Sequence, residues 1–196
     1  MQMSPTLQEI QLAAQRIANY VHHTPVLTCQ SLDAMVGASL FFKCENFQKV
    51  GAFKFRGACN AVFSLSEQEA RRGVATHSSG NHAAALALAA RLRGMSATIV
   101  MPRTAPAIKK AAVAGYGACI VFCEPTLKAR EETLAAEVAQ SGATVIHPYN
   151  DERVIAGQGT AALELLAEVA DLDLSLIHIS EPTRLLSISY AVFCLK

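Results

Sequence analysis

The chain has 196 residues, 52% hydrophobic and 17% charged, the make-up of a globular protein with one large domain or two small ones. Its apolar runs fall well short of the roughly 18 residues a membrane span needs. A net charge of +1, with no basic cluster interleaved with aromatics, gives nucleic acid no footprint.

Six cysteines, Cys29, Cys44, Cys59, Cys119, Cys123 and Cys194, form neither a CxxC pair nor a Cys/His grouping, so no metal site is expected. They read as reduced, buried thiols of a cytoplasmic protein. Cys119 and Cys123 should share one face of a strand.

The N-terminus "MQMSPTLQEIQLAAQRI" carries acidic and polar residues where a signal peptide has a basic start and an apolar block. It predicts an amphipathic helix with Ser4 as cap, Pro5 in the first turn, and Leu7, Ile10, Leu12, Ala13 and Ile17 along it. "TPVLTCQSLDAMVG" predicts an extended entry and a short helix, and "ASLFFKCENF" a strand. "QKVGAFKFRGACNAVFSL" passes through a glycine turn into a helix carrying Ala58, Ala61, Val62 and Leu65. "SEQEARRG" begins with a capping-box pattern but is polar enough to read as a connection.

Beyond Gly73 the chain alternates regularly. "VATHSS", "ATIVMP", "ACIVFCE" and "ATVIHPY" are short β-branched runs, separated by three helical segments. Three successive βαβ units predict an open parallel sheet with flanking helices, which places ligands at the carboxyl ends of its strands. "GQGTAALELLAEVADLD" follows as a helix.

Two stretches carry chemistry. In "GAFKFRG", Lys54 lies between Phe53 and Phe55. An amine set in an apolar loop loses hydration, its pKa falls, and its lone pair becomes available for imine formation. Arg56 adds a reason against a second positive charge nearby. The plain alternative is a lysine reaching out to solvent from a strand–helix junction. In "HSSGNH", residues 77–82, hydroxyls, a glycine and an asparagine sit where a strand turns into a helix. Free backbone N–H groups and the helix dipole favour a carboxylate there, although such clusters also serve as ordinary caps.

"KCENFQKVGAFKFRGA" and "SSGNH", in this order, resemble the serine/threonine dehydratase and serine racemase family. These are pyridoxal-phosphate enzymes of the tryptophan-synthase β fold (fold type II). "HTPVLT", "MPRTAPAIKKAAVAGYGA", "CEPTLKARE" and "HPYNDERVIAGQGT" are also similar, so the resemblance runs from about residue 5 to 173. It implies an α/β fold of open, twisted parallel sheets with an incomplete large domain. Residues 1–72 would begin the large cofactor-binding domain, 73–149 form the small domain, and 150–173 start the return to the large one.

The resemblance makes Lys54 the residue that carries pyridoxal 5'-phosphate and takes the substrate α-proton, with Phe53 packed beside the cofactor. It places Asn81 against the cofactor's phenolic oxygen. Ser78, Ser79, Asn81 and His82 become the substrate-carboxylate loop, and Ser79 the acid/base on the opposite face. Arg130 matches a position that approaches substrate, or is a helix-surface arginine beside Glu131 and Glu132. The implied activity is a threonine/serine ammonia-lyase acting on small hydroxy amino acids. Serine racemase and hydroxyaspartate dehydratase are the alternatives. The complete enzyme would be a homodimer or homotetramer, with a divalent cation possible. A nucleotide contact is matched by Lys49, but Cys29 and Gln30 depart from the serines usual there.

The tail "LSLIHISEPTRLLSISYAVFCLK", residues 174–196, resembles the conceptual translation of a sequencing-library adapter. Leu174 to Arg184 and Ile188 to Lys196 match in frame, separated by a gap of index length; the alternative is a divergent β-rich tail. The family's glycine-rich phosphate loop would begin where this tail stands. The expectation is therefore a chain that does not hold the cofactor usefully and that exposes apolar surface.

Overall fold

The computed structural model describes residues 5–174, so Ser4 and positions 175–196 of the tail lie outside the described residues. Helix α1 (Leu7–Ile17) is capped by Thr6 rather than Ser4. Thr6 Oγ1 accepts from the Glu9 N–H, and the Thr6 N–H donates to the Glu9 carboxylate at 2.6 Å, a reciprocal capping box. Ile10, Ala13 and Ile17 are buried, while Leu7 and Leu12 stay exposed.

Strands β1 (Val26–Leu27) and β2 (Phe42–Lys43) pair antiparallel on either side of helix α2 (Gln30–Val36). The longer strand expected over 38–47 is not formed. Its one partner among the described residues is β1, which is two residues long and can order no more than that. Helix α3 (Lys54–Phe63) begins at Lys54 itself. "SEQEARR" is more than a connection: the Ser66–Glu69 capping box opens a further helix, α4 (Glu67–Arg72).

Strands β3 (Val74–His77), β4 (Ala97–Pro102), β5 (Cys119–Cys123) and β6 (Thr144–Val145) form one parallel sheet in the order β5-β4-β3-β6. Helices α5 (Asn81–Arg93), α6 (Ala107–Gly115) and α7 (Leu127–Ser141) connect them, and α8 (Glu152–Glu168) follows. The chain steps outward from β3 to β5, then returns to lay β6 on the other side of β3. The carboxyl end of β3 is therefore the switch point at which such sheets take ligands. Cys119 and Cys123 have matching parity on β5, yet Cys119 is exposed and Cys123 buried. All five described cysteines are free thiols. Among the described residues no helix is long and apolar enough to cross a membrane.

The main core runs from Ile17 through α3, α5, β3 and β4 to Ile146 and Val154. Helix α5 supplies mostly alanine to it, so it fits closely between the sheet and α3. Large apolar side chains that remain exposed concentrate before α3: Leu27, Met35, Val36, Phe42 and Phe47.

Helix α3 also crosses α8 at two glycines. A Cβ on Gly157 would lie 2.7 Å from Gly57 Cα and 2.7 Å from the Arg56 carbonyl oxygen. Backbone stands in the way, with Asn60 Cβ beside it at 2.8 Å. Beside this crossing, Arg56 has no solvent exposure. Its Nε and Nη2 donate to Glu45 at 2.8 Å each, and its Nη1 and Nη2 donate to Glu164 at 2.7 and 2.9 Å. Lys43 Nζ joins Glu164 at 2.9 Å and Glu168 at 2.8 Å. Burial by itself would disfavour the Arg56 cation, but the two carboxylates outweigh it and hold the guanidinium more firmly charged. Burial likewise pushes Glu164 up, and the bonds from Arg56 and Lys43 overcome it, leaving its carboxyl below the usual range.

Gly157→Ala should lower unfolding free energy by about 2–3 kcal/mol, since the backbones must separate to admit a methyl group. Arg56→Met should cost about 3–5 kcal/mol, because two sequestered carboxylates lose their partner. Glu164 stabilises the fold above its unfolded pKa and loses that contribution as pH falls through its lowered folded value. The acid limb of a urea-unfolding series should accordingly be shallower in Arg56→Met than in the parent chain.

Candidate active site

Lys54 is the first residue of α3, reached through a tightly held loop. Gln48, buried, accepts at Oε1 from the His22 and Lys49 N–H groups at 2.9 and 3.0 Å, and its Nε2 donates to the His22 carbonyl at 2.7 Å. Val50 then adopts φ 60°, left-handed for a β-branched residue, and Gly51 follows at φ 69°. Such a conformation costs on the order of 1–3 kcal/mol and is kept only where surrounding contacts impose it.

The half-buried Lys54 amine donates to the Pro148 carbonyl at 3.0 Å and lies 5.2 Å from the centre of the Phe53 ring. Burial lowers its pKa, which increases the free amine at neutral pH. The expected flanking by two phenylalanines is corrected: Phe55 is fully buried in the core, with Lys49 Nζ rather than Lys54 near its ring. Neighbours on a helix point about a quarter-turn apart, so only Phe53 accompanies the amine. Arg56 faces the carboxylate clamp, and desolvation is the cause of the Lys54 shift. Cys59, deeper in α3, is no rival nucleophile, since burial pushes its thiol up to about 12.

Across from α3, the turn 78–80 leads into α5. Gly80 is the N-cap and no side chain caps this helix, which leaves its first N–H groups for a ligand. Ser78 Oγ accepts from the Gly80 N–H at 3.3 Å, and Ser79 is half-buried in the same turn. Asn81 Oδ1 accepts from Lys109 Nζ at 2.8 Å, so its Nδ2 is the end available to donate elsewhere. His82 is 3% exposed. Its Nε2 faces the Ile146 carbonyl at 3.3 Å, and its buried Nδ1 makes no hydrogen bond among the described residues. Burial first, and then the Lys54 charge, push His82 down to about 3, so it is a neutral imidazole.

The two motifs meet on one exit segment: His82 contacts the Ile146 carbonyl and Lys54 the Pro148 carbonyl. Arg130, on α7, is half-buried with its Nε out of solvent reach and without a partner among the described residues. Its charge lowers the pKa of His77, after the larger effect of burial and against Glu131. His77 and His147 pack edge to face at 6.0 Å, and His147 packs on Tyr149 at 4.5 Å. The sequence reading assigned no role to Gln48, His77, Lys109 or His147. His77 was visible as the residue just before the serines. The others become part of the site through contacts no local pattern announces. Among the described residues no group of three or more His, Cys, Asp or Glu is placed to hold a metal.

An unfolded histidine titrates near 6.5, and His82 in the fold near 3. The unfolded chain therefore binds the extra proton between these values, and stability falls as pH drops through that window. The loss of unfolding free energy between pH 7 and pH 5 should shrink by about 2 kcal/mol in His82→Gln.

A family profile for pyridoxal-phosphate dependent enzymes matches residues 17–180. The chain is 54% identical over 169 residues to a β-hydroxyaspartate dehydratase of Paracoccus denitrificans (strain Pd 1222), covering 86% of this chain and 54% of that protein. The structure of maize serine racemase superposes with TM-score 0.86 at 51% identity, covering 87% of this chain and 52% of the other. A threonine deaminase from T.th. is further off, with TM-score 0.78 and 46% identity over 84% of this chain and 52% of the other. The chain thus spans about half the length of these relatives. With this fold and a family match over most of its length, the chain belongs to the pyridoxal-phosphate-dependent enzymes.

Proposed function

We propose that this chain supplies the amine and carboxylate-binding half of an enzyme that moves the α-proton of a small 3-hydroxy amino acid, in the manner of a serine racemase. The observation that carries this reading is the Lys54 amine. It is half-buried, its pKa is lowered, and it is tied to the segment that also receives the uncapped start of α5. Likeness to serine racemase and β-hydroxyaspartate dehydratase supports it over the threonine/serine ammonia-lyase that the sequence first suggested.

The residues present fit one end of pyridoxal phosphate. Lys54 offers the amine for its aldehyde, and Asn81, its Oδ1 engaged by Lys109, offers an N–H donor for its phenolic oxygen. A glycine-rich cradle for its phosphate is not among the motifs of this sequence. The bound cofactor supplies an electron-withdrawing ring that acidifies the substrate Cα–H bond.

The remaining work falls to the chain. The N–H groups at the start of α5, with Ser78 and Ser79 beside them, hold the substrate carboxylate. Lys54 Nζ, whose hold on its proton is weakened by burial, accepts the α-proton. The Ser79 hydroxyl returns a proton from the other face. His82, neutral at every working pH, adds no charge to compete with that of Lys54.

A second reading, hydroxyaspartate dehydration, is favoured by Arg130, whose partly buried guanidinium suits a side-chain carboxylate. In a complete enzyme carrying this sequence, L-serine should yield D-serine. Ser79→Ala should reduce that rate at least about 100-fold, and Lys54→Ala should abolish it. Unchanged racemisation in Ser79→Ala would overturn the reading. A 2-oxo acid formed from 3-hydroxyaspartate, and lost in Arg130→Leu, would favour the second.

A further inference from the structure

We propose that His147 is a positioning residue for Lys54: its imidazole shapes the 147–150 turn so that the Pro148 carbonyl stands as the acceptor that holds the reactive amine. This rests on the reading of Lys54 as the cofactor-bearing amine and adds a residue to that site.

The turn is built on one ring nitrogen. His147 Nδ1 accepts from the Asn150 N–H at 2.8 Å and from the Tyr149 N–H at 3.3 Å. Two backbone donors converging on Nδ1 require its lone pair, so the ring is neutral and carries its proton on Nε2. The ring is fixed in orientation as well. It meets His77 at an interplanar angle of 87° and Tyr149 at 88°. Several groups face it. Burial, His77 and Lys54 oppose its protonation, Asp151 and Glu131 favour it, and the balance keeps its pKa below that of an ordinary histidine.

Pro148 lies inside this turn, where its ring fixes φ and leaves the residue no N–H of its own. What it offers is a carbonyl, and that carbonyl takes the hydrogen bond the Lys54 amine makes among the described residues, at 3.0 Å across a sequence separation of 94. Lysine has four side-chain torsions and a strongly hydrated head, so without an acceptor in place the amine would swing toward water. The acceptor's direction is set by the peptide planes on either side of Pro148, and His147 Nδ1 fixes the N–H groups that follow. A residue that never touches Lys54 thereby determines where its nitrogen rests.

The test is competitive acetylation of the 196-residue chain with acetic anhydride across a pH series, with modification at Lys54 quantified by peptide mass. His147→Phe keeps a ring for His77 and Tyr149 but has no acceptor. His147→Asn keeps an acceptor able to reach N–H groups two and three residues on. In the parent chain Lys54 should titrate below the surface lysines. In His147→Phe its midpoint should rise by about one pH unit, a tenfold loss of free amine at neutral pH, and His147→Asn should restore most of it. An unchanged midpoint in His147→Phe, or an Asn variant that behaves like Phe, would overturn this inference and leave the cofactor reading standing. An ordinary lysine midpoint in the parent chain would overturn both.

Discussion

A guanidinium with no access to water, gripped by carboxylates from opposite ends of the chain, is the constraint on which the site depends. Arg56 lies two residues beyond Lys54, on the same helix, and its partners come from positions 45 and 164. The desolvation of such a group is large, and its pairing returns little net stability beyond what apolar residues of the same volume would give. What it provides is a unique geometry. Only one placement of α3 lets the guanidinium meet both carboxylates in bidentate fashion, and that placement sets where the preceding amine begins. The paired glycines at the α3–α8 crossing serve the same end, letting the backbone of α8 come near enough for Glu164 to reach.

From that anchor the site is assembled by carbonyls as much as by side chains. The segment after β6 receives His82 at Ile146 and Lys54 at Pro148, so the starts of α5 and α3 share one reference. The sheet order makes this possible. Because β6 pairs with β3, the exits of both strands lie side by side, and the motif following β3 is brought beside the segment that Lys54 contacts. Asn81 is oriented by the same economy, its oxygen engaged by Lys109 from the next helix.

Much of this was legible in the sequence because it is local. The glycines at 94 and 142 closed their helices, β-branched runs marked the parallel strands, and the lysine and serine motifs stood out by residue type. What was missed depends on distance. Thr6 displaced Ser4 because the reciprocal bond with Glu9 needs a spacing of three. Phe55 turned away from Lys54 once the stretch became helical rather than looped. The strand over 38–47 failed for want of a partner, which no inspection of its own residues reveals. His147 acts through bonds to a turn whose use appears only when Lys54 is beside it. The choice among chemistries is the least legible of all, since racemisation and dehydration of a hydroxy amino acid both begin with loss of the α-proton.

Val50 illustrates a compromise. A branched side chain is uncomfortable in the left-handed region, where glycine or asparagine would sit at ease. Yet its methyl groups pack onto the main core, wedging the loop that delivers Lys54. A lineage that exchanged it for glycine would relax the main chain and forfeit the wedge, so this position marks a truce between two demands rather than the best answer to either.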